Sequence, residues 1–321
     1  MQAIVMTETG APEVLVPRAV DAPRPGAGQV LVRAEAIPVL YPETLVRAGT
    51  FPFPAPLPEV FGFQAAGTVT EVGVGVDSAL LGARVVAATS GFGAYAELVA
   101  AEADALTVIP DGLSTDRAAA TQMPGSVALA LVATAALTPG DTVLVEAAAT
   151  GVGSVLTQLC AAAGVRVVAT AGGTEKARLA RTHGAAEVID HTAPDWADQL
   201  RATLATDTVD VVFDSIGGDS VTPLLDLITP RTGRILSYGW LAGLPTQLTA
   251  VDLILRGLTL TGCAGAAWLA EVARQRAAAL DAAARGQLTV AIDSVVPLTE
   301  AATAHRMLEQ RSALGTILLR P

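Results

Sequence analysis

Between Thr142 and Asp190 the hydrophobic positions alternate between two spacings. Thr142 to Ala148 is a continuous β-branched and aliphatic run, the pattern of a parallel strand covered on both faces. Thr150-Gly151-Val152-Gly153 follows as a turn, after which Val155, Leu156, Leu159 and Cys160 recur at helical spacing until Gly164 ends the helix. Val165–Thr170 predicts a second strand, a second helix follows, and residues 187–190 predict a third strand. The pattern continues with strands at 208–213, 234–238 and, as a candidate last strand, 256–262. Strands that alternate with helices in this way imply βαβ units and a parallel sheet.

The flanking segments follow a different pattern. Residues 1 to about 115 carry short alternating runs broken by Gly and Pro, with strands predicted at 30–37, 67–76, 83–89 and 94–100. Met1–Met6 predicts the first strand, and Glu43–Arg47 one or two helical turns before Gly49. The run Phe51–Val60 is a proline loop that cannot enter a central strand. Ser114 is a candidate N-cap for a helix that Pro124-Gly125-Ser126 is expected to break, with a second helix running on to Leu137. Thr138–Asp141 predicts a turn. Residues 266–284 predict one long Ala-rich helix, followed by a strand at 288–296, a helix at 300–310 and a strand at 315–320.

The length of 321 residues accommodates two domains, and 51% hydrophobic with 16% charged residues describes a chain with a large core. A net charge of −11 argues against a nucleic-acid partner, which requires a basic face. The apolar run Val127–Leu137 is too short to span a bilayer, and Met1–Met6 lacks the features of a signal peptide, so no membrane partner is expected. Two distant cysteines, Cys160 and Cys263, suggest a reducing compartment, and the expected location is the cytoplasm.

A strand, a glycine turn and a helix N-terminus offer unpaired amides and a positive dipole end to a pyrophosphate. The fingerprint is incomplete, since Ala148 and Thr150 replace its first two glycines. Alone, the turn fits both a dinucleotide site and an ordinary βα turn. The end of the second strand is more informative. Thr170-Ala171-Gly172-Gly173-Thr174-Glu175-Lys176 has no acid at the strand end, where an NAD site places one for the ribose hydroxyl. A hydroxyl (Thr170), open backbone at Gly172 and the chain's only lysine, Lys176, suit a 2′-phosphate instead. The competing reading of Lys176 is a solvated first-turn residue. The nucleotide expected is therefore NADPH.

These residues resemble the cofactor domain of the medium-chain dehydrogenase/reductase superfamily, and within it the zinc-independent quinone oxidoreductases. Those enzymes read AAxGGVG, then GT, then a lysine near the second helix start. The resemblance covers nearly the whole chain. It implies a Rossmann doubly wound parallel sheet over 121–285, and a GroES-like, partly open β-barrel substrate domain from 1–120 and 286–321. It also implies a homodimer, paired through the edge strand near Leu258–Thr261. Zinc-dependent relatives carry a Cys and a Gly-His-Glu in the first domain; here the second segment reads Gly62-Phe63-Gln64 and no cysteine precedes Cys160. No zinc is expected, and hydride transfer without a Lewis acid favours electron-poor acceptors such as quinones and conjugated enones.

By resemblance, Gly151, Val152 and Gly153 face the pyrophosphate and His191 lies beside the 2′-phosphate, unless it is only a polar strand-end residue. Ser215, Tyr238 and Gly239 lie at the carboxyl ends of later strands, on the nicotinamide side, and Ser126 either contacts the carboxamide or caps a helix. The family's N-x-x-D-x-x-x-R-x-G pattern, anchored on Arg47 and Gly49, places Leu40 at the Asn position and Glu43 at the Asp position. The substrate cleft would be lined by Leu40, Glu43, Tyr41 and Trp240. Tyr41 is the nearest candidate proton donor or a buried structural tyrosine; Phe51 cannot donate a proton. The function expected is NADPH-dependent reduction of a small-molecule quinone or enone. An enoyl-thioester or tailoring ene-reductase is the alternative within enzymes, and a non-catalytic NADPH-binding sensor or structural protein the alternative outside them.

Overall fold

The computed structural model describes residues 1–51, 57–89 and 92–321. The chain forms two compact units, one from Met1–Met123 with Ala277–Pro321 and the other from Pro124–Arg276. The first unit opens with β1 (Gln2–Met6), β2 (Leu15–Ala19), β3 (Gln29–Pro38) and α1 (Tyr41–Ala48). It continues with β4 (Glu59–Val60), β5 (Gln64–Val72), β6 (Arg84–Ala88), β7 (Leu98–Glu102) and β8 (Leu106–Val108). Helix α2 (Thr115–Ala135) carries the chain across the unit boundary.

The second unit alternates β9 (Thr142–Val145), α3 (Gly151–Ala162), β10 (Arg166–Ala171), α4 (Thr174–Thr182), β11 (Glu187–Asp190), α5 (Trp196–Leu204) and β12 (Val211–Asp214). It ends with β13 (Arg234–Ser237), α6 (Ala250–Arg256), β14 (Thr259–Gly262) and α7 (Gly265–Arg274). Helix α8 (Arg276–Ala284), β15 (Ile292–Pro297), α9 (Ala301–Glu309) and β16 (Thr316–Arg320) return to the first unit.

All six strands of the second unit pair in parallel, in the order β11-β10-β9-β12-β13-β14. Chain order reverses between β9 and β12, so the sheet is doubly wound and its switch point lies at the carboxyl ends of those two strands. Val143, Leu144 and Val145 in β9 and Val211, Val212 and Phe213 in β12 are fully buried, which explains their unbroken apolar runs. Leu144, Val168, Val212 and Ile235 join Leu200, Leu204, Leu224 and Leu225 in one core.

In the first unit β2-β1-β4 form one antiparallel sheet. A second sheet runs β15-β16-β3-β5-β6-β8, with β7 also on β3. Strand β3 is the hub of this sheet, antiparallel to β5, β7 and β16. The bridge Ala3–Ala96 joins the two sheets. Between them lies a core of Ile4, Met6, Ile37, Val46, Phe61, Tyr95, Leu298 and Ile317, with Phe61 packed edge-on against Phe92, Tyr95 and His305.

Several expectations change. Pro124 does not break its helix, since α2 runs continuously through it. Proline costs one backbone hydrogen bond, but α2 is apolar on all sides and buried on both flanks of Pro124, at Ala118–Thr121 and at Ala128, Ala130 and Leu131. Packing outweighs the local penalty. At 21 residues α2 is also long and apolar enough to cross a membrane by length and composition, unlike the shorter run read from the sequence, and most of its apolar stretch is buried inside the protein. That is the ordinary state of a core helix.

Residues 266–284 form two helices, α7 and α8, separated at Gln275, whose amide N–H bonds Val272 O and whose side chain bonds Glu271. The strands expected at 67–76 and 94–100 are also displaced. β5 stops at Val72, and the chain turns at once, with Gly73 O accepting Val76 N–H at 3.2 Å. Of 94–100, only Leu98 onward joins β7. Within the Phe51–Val60 loop, residues 52–56 lie outside the described residues.

Candidate functional site: the carboxyl edge of the parallel sheet

The glycine turn after β9 is built tightly. Thr150 is the N-cap of α3 and Gly151 begins it with φ +54°. The first intrahelical amide is Ser154 N–H, bonded to Thr150 O at 3.3 Å. The amides of Gly151, Val152 and Gly153 therefore have no partner within the helix and project from its N-terminus. A Cβ on Gly153 would lie 2.4 Å from Ala147 O and 3.0 Å from Ala148 Cα, so only glycine lets α3 start this close to β9. Ala147 itself sits at φ +49°, a strained conformation for a residue with a side chain.

Thr170, at the end of β10, holds that strained turn. Its carbonyl accepts Ala148 N–H at 2.9 Å, and its hydroxyl lies 3.3 Å from Ala147 N and 3.2 Å from His191 Nδ1. Thr170 is fully buried. The expectation gave its hydroxyl to a 2′-phosphate; in the structure that hydroxyl also holds Ala147 N–H and His191. It links the glycine turn to His191, bringing two of the expected site segments together.

Past β10 the backbone of Gly172 lies under His191, since a Cβ at Gly172 would approach His191 Nε2 to 3.2 Å. Helix α4 begins at Thr174 and carries the half-buried Lys176 in its first turn. Asp190, at the end of β11, accepts Thr192 N–H at 2.9 Å and its hydroxyl at 2.7 Å, and also the Gly173 N–H. These bonds hold its carboxyl below the usual range and leave an anion between His191 and the start of α4.

At the switch point the structure adds two residues that the sequence reading passed over. Glu146, one residue past β9, and Asp214, at the end of β12, are both fully buried and hydrogen-bonded to each other. Burial, and then the Asp214 charge, push the Glu146 carboxyl well above the usual range. Ser215 Oγ donates to Glu146 O at 3.3 Å. Gly239 lies against Ser215, with room for a Cβ only 3.0 Å from Ser215 O. Tyr238 bonds Ser215, and burial raises its phenol. Trp240 is folded back over Gly217, its loop fixed by Leu241 N–H to Ser215 O and Ala242 N–H to Ile216 O. Ser126 is buried in α2. Acid side chains at two adjacent strand ends after apolar runs, TVLVE and VVFD, were the available signal.

In the first unit, Leu40 is the N-cap of α1 and Tyr41 its first residue. Burial raises the Tyr41 phenol; Arg311 and Glu309 are its charged neighbours. Glu43 does not line a pocket, contrary to expectation. It has no exposed surface and its carboxylate turns inward. Oε2 accepts Leu40 N–H and the Tyr95 hydroxyl, each at 2.7 Å, and Oε1 accepts Phe63 N–H at 2.8 Å. Tyr95 Oη in turn lies 3.1 Å from His305 Nε2. Burial pushes the Glu43 carboxyl up to about 7, and burial with the Arg47 charge pushes His305 down to about 3.

Comparison with known proteins places this geometry in a family. Residues 26–111 match the alcohol dehydrogenase GroES-like domain, and residues 151–295 the zinc-binding dehydrogenase domain. A quinone oxidoreductase of Pseudomonas aeruginosa is 35% identical, covering 97% of each chain. A 2-haloacrylate reductase of a Burkholderia species is 34% identical, covering 100% of this chain and 99% of its own. The structure of Escherichia coli quinone oxidoreductase complexed with NADPH superposes with TM-score 0.92 at 30% identity over 100% of both chains. The chain belongs to the medium-chain dehydrogenase/reductase superfamily. Within it, it is a member of the quinone oxidoreductase family. Among the described residues no group of three or more His, Cys, Asp or Glu side chains converges as metal ligands would.

Proposed function

We propose that the protein is an NADPH-dependent oxidoreductase that passes a hydride to a quinone or another conjugated carbonyl acceptor. The observation that carries this is the glycine turn: three outward amides at the start of α3, held against β9 by a glycine that no other residue can replace. The relatives support the acceptor class, since their names describe quinone and 2-haloacrylate reduction. In both substrate types a carbon–carbon double bond is conjugated to a carbonyl. The second unit would be the nucleotide domain and the first the substrate domain.

NADPH, when bound, supplies the hydride from C4 of its nicotinamide. The protein's own part is to bind, orient and protonate. Gly151, Val152 and Gly153 would hold the pyrophosphate. The first turn of α4, with Lys176, and His191 over Gly172 would face the 2′-phosphate. Ser126, Ser215, Tyr238 and Gly239 would border the nicotinamide. The raised Tyr41 phenol keeps its proton at neutral pH, as a donor to a reduced acceptor must. The chemistry proposed here calls for no zinc ion, and among the described residues no set of His, Cys, Asp or Glu converges to hold one.

Lys176→Ala is expected to lower the preference for NADPH over NADH roughly ten- to a hundred-fold, the worth of one charge-assisted phosphate contact. Parallel measurements of nicotinamide oxidation with a panel of quinones and enones test this. Unchanged preference would remove Lys176 from the site, and binding without reduction of any acceptor would favour a non-catalytic NADPH protein.

We also propose a cytoplasmic homodimer. Both cysteines are free thiols, which suits a reducing compartment. Strand β14 ends the parallel sheet, and α6 just before it exposes Val251, Ile254 and Leu255, the last two at 75%. Replacing Ile254 and Leu255 with Asp should yield a folded monomer in sedimentation velocity; an unchanged dimer would place the interface elsewhere.

A further inference from the structure

The Glu146–Asp214 pair has no part in the function proposed above, yet it lies at the switch point of the sheet, where that reading puts the nucleotide. The carboxyls that follow the paired residues Val145 and Phe213 on neighbouring parallel strands are both fully buried. Side by side away from water two carboxylates repel, so Glu146, whose carboxyl burial raises, holds a proton against Asp214.

The oxygens of the pair also hold the surrounding loops. Glu146 Oε2 lies 3.4 Å from Ile216 N, and Asp214 Oδ1 accepts Gly217 N–H at 2.8 Å. Asp214 Oδ2 accepts the Thr246 hydroxyl, which also lies 2.6 Å from Ser237 Oγ. Ser215 Oγ bonds the Glu146 carbonyl, and the backbone of Ser215 and Ile216 receives the amides of Leu241 and Ala242. The loops after β12 and β13, and the end of β9, are thus joined through two carboxyl groups. The other titratable groups facing the pair are the Tyr238 phenol and, beyond it, the Cys263 thiol, both raised by burial and so uncharged near neutral pH.

We propose that Glu146 and Asp214, sharing one proton, are positioning residues that set the Ser215–Gly218 and Tyr238–Ala242 segments for the nucleotide, and that nucleotide binding weakens when this proton leaves. The inference rests on the reading that this edge binds NADPH. Two effects act together on deprotonation. Repulsion inside the pair separates the segments it joins, and a second buried negative charge opposes an anionic dinucleotide near the start of α3. The step is a proton equilibrium only: the proton passes to solvent, and no bond to carbon is made or broken.

The test is NADPH affinity, by fluorescence titration of the full chain from about pH 6 to 10, for wild type and Glu146→Gln. The amide keeps a donor toward Asp214 and cannot ionise. Wild-type affinity should fall on the alkaline side by as much as about tenfold per pH unit, while Glu146→Gln keeps the neutral-pH affinity throughout. The nucleotide's own phosphate, Lys176 and His191 titrate in both proteins, so the difference between the profiles isolates the pair. Asp214→Asn, which relieves the repulsion but leaves Glu146 able to ionise, should weaken the pH dependence in part and serves if Glu146→Gln does not fold. The infrared carbonyl band of a protonated carboxyl should be present in wild type without nucleotide and lost in Glu146→Gln. Superimposable affinity profiles, or no such band in the wild type, would overturn the proposal. Absence of NADPH binding in every variant at every pH would instead overturn the nucleotide reading on which it stands.

Discussion

Glu43→Ala should be among the most destabilising single substitutions in the first unit, costing about 3–6 kcal/mol. Three donors converge on this carboxylate: two backbone amides, from Leu40 and Phe63, and the Tyr95 hydroxyl. Alanine removes every acceptor and leaves no path for water, because the site has no exposed surface. Each orphaned donor costs about 1–3 kcal/mol. Glu43→Gln should be milder, at about 1–3 kcal/mol, since either orientation of its amide sets an N–H against one backbone N–H but preserves the other contacts. Denaturant unfolding of both variants checks the order. Equal stability of Glu43→Gln and wild type would mean that the carboxylate's acceptor capacity is not what this site uses.

The same cluster makes a pH prediction. A carboxyl that titrates near 7 when folded and near 4.5 when unfolded binds more protons in the folded state between those values. Its contribution to stability therefore falls as pH rises from 4.5 to 7. His305, lowered to about 3 from 6.5, binds fewer protons when folded, so its contribution grows as pH rises from 3 to 6.5. The two slopes oppose each other in the shared window. In His305→Gln only the Glu43 slope remains, and relative to wild type the variant should lose about 2–3 kcal/mol between pH 4.5 and 6.5. Parallel slopes in the two proteins would refute this.

Glu43 also marks where the sequence stopped being informative. Its place in the N-x-x-D-x-x-x-R-x-G spacing was readable, and that spacing suggested a substrate wall. Its burial was not readable, because Phe63 and Tyr95 lie 20 and 52 residues away and His305 reaches the cluster only through Tyr95. Local patterning carries no information about such partners. The parallel sheet was legible for the opposite reason. A strand covered on both faces must be apolar through its middle, and Val143–Val145 of β9, Val167–Ala169 of β10 and Val211–Phe213 of β12 are. Pro124 misled because propensity is a local penalty of a few kcal/mol, whereas α2 is packed along both halves. The Thr170 hydroxyl was correctly placed at the strand end, but its inward turn depends on Ala147, whose positive φ no sequence rule foresees.

Gly153 is the position where a single methyl group should cost the most function. Its Cβ would overlap the backbone at Ala147 O, 2.4 Å away, and press on Ala148 Cα at 3.0 Å. Both obstacles are main chain, fixed by β9 and by the Thr170 bonds, so α3 rather than the turn must move. A shift of about 1 Å would carry the amides of Gly151–Gly153 away from the phosphate oxygens they are proposed to meet, and misplacement on that scale costs on the order of a hundredfold. Gly153→Ala should therefore weaken NADPH binding by roughly that factor, with a stability loss of about 1–3 kcal/mol from overpacking. Gly151→Ala separates this from a general glycine effect. Gly151 has open space where its Cβ would stand, and only its φ of +54° opposes a side chain. That strain is about 1–2 kcal/mol and leaves the helix where it is, so affinity should fall less than about tenfold. Isothermal titration with NADPH on both variants decides the matter. If Gly151→Ala is the more damaging, the flexibility of the turn governs binding; if Gly153→Ala is, the close approach of α3 to β9 is what makes the anion site.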